Sequence, residues 1–94
     1  MNFECHITVP LAHKQIALNT TADRAFAKWH NSEIKRDPVL GKASYFYLTA
    51  HSDNYISLYT QMKALVGALS QDGANVVREK IELIMYDTKT KDRN

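Results

Sequence analysis

FECHITV, residues 3–9, alternates strictly between apolar and polar side chains. Phe3, Cys5, Ile7 and Val9 fall on one side, and Glu4, His6 and Thr8 fall on the other. A strand projects successive side chains to opposite faces, so the stretch reads as a half-buried β-strand with one polar face. Everything downstream depends on what that polar face meets.

Pro10 closes the strand. The segment from about Ala12 to Lys28 reads as a helix with Ile16, Ala22, Ala25, Phe26 and Trp29 on its buried side. A shorter alternative makes Thr20 or Thr21, followed by Asp23, a first-turn cap and leaves LAHKQIALN as a loop. Asp37-Pro38 and Gly41 then supply turn chemistry between a short strand near His30 to Ile34 and a firm one over SYFYLTAH, Ser44 to His51. Ser52 or Asp53 is the expected cap of a second helix. Its apolar stripe of Tyr55, Leu58, Tyr59, Met62, Leu65, Val66 and Leu69 recurs at helical spacing and reads as core, with Gly73 as the stop. A last strand over about Val76 to Tyr86 completes the chain, and the residues from about Thr88 read as a polar tail.

The element order is β-α-β-β-α-β, the ferredoxin-like split pattern of an α+β domain. That topology implies an antiparallel sheet in the order four, one, three, two, with both helices on one face. A three-stranded sheet with an irregular hairpin arm is the alternative. Ninety-four residues suit a single domain, here 1–88 followed by a tail over 89–94. Apolar runs are too short for a membrane span, and the start lacks the basic and long apolar stretch of a signal peptide. The lone cysteine, Cys5, excludes an internal disulfide and fits the cytoplasm. A formal charge of +2 is too small to mark a nucleic-acid binder by itself, so any electrostatic argument rests on placement.

Applying the alternation to three strands at once places Glu4, His6 and Thr8 down the middle of an uncovered face. Tyr45, Tyr47, Thr49 and His51 lie on one side, and Arg78, Lys80 and Glu82, with Ile84 and Tyr86, on the other. Phe46, Leu48, Ala50, Ile81, Leu83 and Met85 take the covered parity. These open-face residue types suit phosphate chemistry. Arg78 and Lys80 neutralise phosphate oxygens, His6 and His51 exchange protons near neutral pH, Thr8 and Thr49 orient oxygens, and Tyr45 and Tyr47 stack on a base. The plainer reading is a wet sheet face whose Arg78, Lys80 and Glu82 make cross-strand ion pairs with Glu4, an arrangement worth little energetically.

His6-Ile7-Thr8 resembles the His-x-Thr motif of the 2H phosphoesterases, which include RNA ligase-like cyclic phosphodiesterases. In that family two such motifs face each other across a groove. The histidines act as acid and base on a cyclic phosphodiester and the threonines hold the phosphate. The likeness covers three residues. It departs from the family in having Thr49-Ala50-His51, the reversed order, in place of a second His-x-Thr, and in being about half the size of a two-lobed enzyme. A homodimer pairing two copies of His6-Ile7-Thr8 would answer the same need.

The expected function is a small cytoplasmic protein that binds a phosphate-bearing ligand, nucleotide or RNA, on its open sheet face, with metal-independent phosphodiester hydrolysis as the chemistry. No cofactor is expected. The four histidines have neither helical pairing nor a cysteine partner of the kind that holds a metal. The alternative is a non-catalytic interaction module, a homodimer burying Tyr45, Tyr47 and Ile84 of the same face. A third reading is single-stranded RNA binding without chemistry.

Overall fold

The computed structural model describes residues 2–26, 28–34 and 44–84. The expected turn residues Asp37, Pro38 and Gly41, the strand-end residues Met85 and Tyr86, and the polar tail lie outside them. The strands are β1 (Asn2–Pro10), β2 (His30–Ile34), β3 (Tyr45–Ser52) and β4 (Arg78–Ile84); the helices are α1 (Lys14–Thr21) and α2 (Tyr55–Gln71). The sheet runs β2-β3-β1-β4, which is four, one, three, two counted from the other edge, and every pairing is antiparallel. The molecule is thus an α+β domain with a four-stranded antiparallel sheet and two helices. No helix among the described residues is long and apolar enough to cross a membrane.

The alternation in β1 divides the protein into two sides. Cys5, Ile7 and Val9 are fully buried, as are Phe46, Leu48 and Ala50 of β3, and α2 lays Leu58, Met62, Leu65 and Leu69 into the same cluster. Ala17 of α1 and Trp29 join them. Burial and the nearby Glu79 charge push the Cys5 thiol up to about 12, so it stays protonated and inert.

The first helix departs from the expected 12–28. It begins with a single 3-10 turn over Leu11–His13 and ends at Thr21, with a second short turn over Arg24–Phe26. The loop alternative for LAHKQIALN is therefore overturned, and Thr20 and Thr21 close the helix where a cap was expected to open one. Two adjacent threonines explain this, because the Thr21 hydroxyl donates back to the Ala17 carbonyl. Thr20 Oγ1 sits 2.6 Å from Asp72 Oδ2, tying the end of α1 to the end of α2. Ala22 and Ala25 are exposed, and Ala17 and Thr20 take the inner side instead.

In α2 the cap is Asn54, whose side chain accepts from the Ser57 amide; Ser52 accepts from the Asn54 amide in turn. Gly73, at a φ of 95°, ends the helix in a left-handed turn. Its amide reaches the Ser70 carbonyl while that of Ala74 reaches Leu69, the paired closure that favours glycine. Tyr55 and Tyr59, expected in the core, are 48% and 45% exposed. At about 100° per residue, Leu58, Met62, Leu65 and Leu69 form one narrow stripe, and the two tyrosines fall on its flank. They stack on each other, with Phe3 against the edge of Tyr55. Leu83 is also exposed, because it sits on the edge strand β4 rather than at the sheet's centre.

Candidate functional site

The register converts the alternation into rows across the sheet. His6 is opposite Lys80 on β4 and Thr49 on β3, and Thr49 is opposite His30 on β2. The neighbouring row runs Arg78, Thr8, Tyr47, Ser32, and the row on the other side runs Glu82, Glu4, His51. Directly opposed residues share a face. All of these therefore lie on the side away from α2, and the imidazole, hydroxyl and cationic groups singled out in the sequence come from three strands of one surface.

Glu4 is the hub of this surface. Its Oε1 lies 2.6 Å from His6 Nε2 and its Oε2 lies 2.7 Å from His51 Nε2. His6 Nδ1 is 2.9 Å from Thr49 Oγ1. The hydrogen bonds therefore form one chain: Thr49, His6, Glu4, His51. Partial burial raises the Glu4 carboxyl, but the hydrogen bonds and charges of His6 and His51 outweigh it and hold the group below its usual 4.5. An ionised carboxylate can only accept, so both Nε2 atoms carry protons donated to Glu4. In its neutral form His6 presents a lone pair at Nδ1, which accepts from the Thr49 hydroxyl. A hydroxyl, a base and a carboxylate orienting that base stand in hydrogen-bond sequence, the arrangement by which proteins activate hydroxyl groups.

The expected cross-strand ion pairs take another form. Lys80 Nζ lies 2.6 Å from Glu82 Oε1 on its own strand, and this pair lowers the Glu82 carboxyl pKa. Glu4 is satisfied by imidazoles, and the residue facing it across the β1–β4 pair is another carboxylate, Glu82.

The remaining expected site residues differ in access. Tyr45 and Arg78 are half-buried and His51 is exposed. Thr8 is only 2% exposed, so its hydroxyl is not presented to solvent as the phosphate reading expected; its cross-strand neighbours are the large Tyr47 and Arg78. The Tyr47 hydroxyl is buried and unpartnered among the described residues, and the Tyr47 ring meets His6 edge-on at 6.5 Å. Sequence reasoning left two members out of the site. The sequence sets Glu4 on the open face with His6 but assigns it no more than cross-strand ion pairs; its imidazole partner on β3 comes from the register. His30 joins through β2, and the same parity rule applied to the hairpin would have found it.

A Glu4→Gln substitution tests the charge at the hub. Because folding lowers the Glu4 pKa, the stability it contributes is full above the ordinary carboxyl range and is lost as pH falls through the lower folded value. Glu4→Gln should be less stable than wild type at about pH 6, and the gap should narrow as pH falls below the ordinary carboxyl range, read from urea midpoints. A gap that stays constant over that range would mean Glu4 carries no such charge.

No protein-family model matches the chain, and no curated protein matches it either. The case for function therefore rests on the geometry.

Proposed function

We propose that the open sheet face binds a phosphate-bearing ligand, a nucleotide or RNA, and that His6 moves a proton in the hydrolysis of a phosphodiester. The hydrogen-bonded sequence Thr49–His6–Glu4 carries this reading. It gives the imidazole a fixed tautomer, a fixed orientation and a basic nitrogen beside a hydroxyl. Lys80 in the same row and Arg78 in the next supply the positive charge that phosphoryl oxygens need. The strand order, with helices α1 and α2 following β1 and β3, supports a ferredoxin-like fold and keeps the likeness to one lobe of a 2H phosphoesterase open.

On a 2′,3′-cyclic phosphate the step balances without a further reactant. A water oxygen bonds to phosphorus as its proton passes to His6 Nδ1, directly or through the Thr49 hydroxyl. One ring P–O bond breaks, and the departing ribose oxygen takes a proton from the His51 imidazolium. Glu4 stabilises both imidazoles as they gain and lose charge. Thr8 has no part, since its hydroxyl is buried.

The test is hydrolysis of 2′,3′-cyclic nucleotides and binding of short RNA at low salt. Lys80→Ala and Arg78→Ala should each weaken binding, and the salt slope should fall by about one per cation removed. Failure to hydrolyse or bind any of these ligands would sink the proposal. The interaction-module reading draws on Tyr45 and Ile84, which stand half-buried on the same face as the site. It predicts a concentration-dependent dimer in sedimentation, dispersed by Tyr45→Glu and indifferent to nucleotide.

A further inference from the structure

Glu4, His6 and Glu82 offer three metal-ligating atoms that all lie within 4.8 Å of one another. Histidine pairs at helical spacing and cysteine partners, the patterns sought in the sequence, are not what assembles them. The sheet register does so, by setting Glu4 directly opposite Glu82 with His6 one row along. We propose that these three side chains form a site for a divalent first-row cation, with zinc as the best-fitting ion.

Three observations support it. First, two carboxylates directly opposed across an antiparallel pair repel each other, and a cation seated between them removes that penalty. Second, the donor set is one imidazole nitrogen and two carboxylate oxygens, which suits zinc better than the all-oxygen shell preferred by magnesium or calcium. Third, the outer groups are already in place. Thr49 holds His6 Nδ1, turning Nε2 toward the carboxylates, and His51 holds the second oxygen of Glu4. Ligands oriented by such partners are the usual construction of a zinc site.

The adjustment needed is small. Bonds of about 2.0–2.2 Å put ligand atoms roughly 3.4 Å apart around a tetrahedral ion, so side-chain rotation on two strands closes the set. The His6 proton must move from Nε2 to Nδ1, where it is donated to the Thr49 hydroxyl, and Lys80 must release Glu82. That ion pair is half in solvent and holds Glu82 weakly. Three protein ligands leave a fourth position for water or a ligand atom.

This inference goes beyond phosphate binding, and an ion on His6 Nε2 would take that imidazole out of the base role proposed above; the two are told apart because Lys80 acts with opposite sign in them. Lys80 attracts a phosphate but competes with a metal ion for Glu82. Calorimetric titration of the full chain, stripped with chelator, with Zn2+ in a non-coordinating buffer should give one ion per chain. His6→Ala and Glu82→Gln should each weaken it at least tenfold with the fold intact by circular dichroism, and His13→Gln should leave it unchanged. Lys80→Ala should tighten Zn2+ severalfold while weakening nucleotide. No stoichiometric binding, binding that survives both His6→Ala and Glu82→Gln, or looser binding in Lys80→Ala would overturn the assignment.

Discussion

His6→Ala should lower the hydrolysis of a 2′,3′-cyclic nucleotide by two to four orders of magnitude, the range contributed by a positioned acid–base group. The size follows from the position of His6 in the hydrogen-bond chain. Its removal separates the Thr49 hydroxyl from Glu4 and leaves a carboxylate that still has His51 but no base beside the hydroxyl. The fold should survive, since His6 is part-exposed and its partners can turn to water. Urea midpoints for His6→Ala and wild type should therefore differ by much less than the rates do. Glu4→Gln gives a contrasting signature. It keeps the imidazole but removes the anion that stabilises its charged form, so the rate should fall less and the pH profile should move. A His6→Ala protein as active as wild type would remove His6 from the chemistry. Loss of activity through unfolding is excluded by the midpoint measured alongside.

The alternation in β1 was legible because strand periodicity is a property of the backbone, and it transferred to β3 in full and to β4 in register alone. Phe46, Leu48 and Ala50 went to the core, and Thr49 and His51 to the open face, as the residues alone implied. What failed was everything set by distance from an edge. Tyr55 and Tyr59 have the right spacing for α2's buried stripe but lie on its flank, and Leu83 has the inward parity but sits on an edge strand. Periodicity gives the direction of a side chain and says nothing of how far its neighbours extend over it. The burial of Thr8 is the same lesson on the other face: a small side chain between two large ones is hidden whatever its parity. The role of Glu4 is hidden in the sequence for a different reason. A lone glutamate in a strand is ordinary, and its role appears only when the register sets His51 opposite it.

Phe46→Ala should cost about 3–5 kcal/mol of stability, the usual penalty for emptying a buried aromatic site. The ring is 1% exposed, pairs across the sheet with Val9, and has Lys14 Nζ 6.0 Å from its centre. The cavity left behind faces the rigid centre of the sheet, where β3 is bonded on both sides, so relaxation can recover little of the loss. For a small domain with a total of about 5–15 kcal/mol, that removes a large share and could unfold it at 37 °C. Ser32→Ala, on the exposed β2 position opposite Tyr47, should stay within about 0.5 kcal/mol. Urea unfolding with an unchanged m-value is the measurement, and Leu65→Ala at about 2–5 kcal/mol extends it to α2. A Phe46→Ala loss below about 1 kcal/mol would contradict the buried placement, because a ring that leaves no cavity was not enclosed. The contrast between the two faces matters for function as well. If stability resides on the helix-covered side, the polar side is released from holding the fold together, and a carboxylate, two imidazoles and a hydroxyl can be kept there for binding and proton transfer at little structural cost.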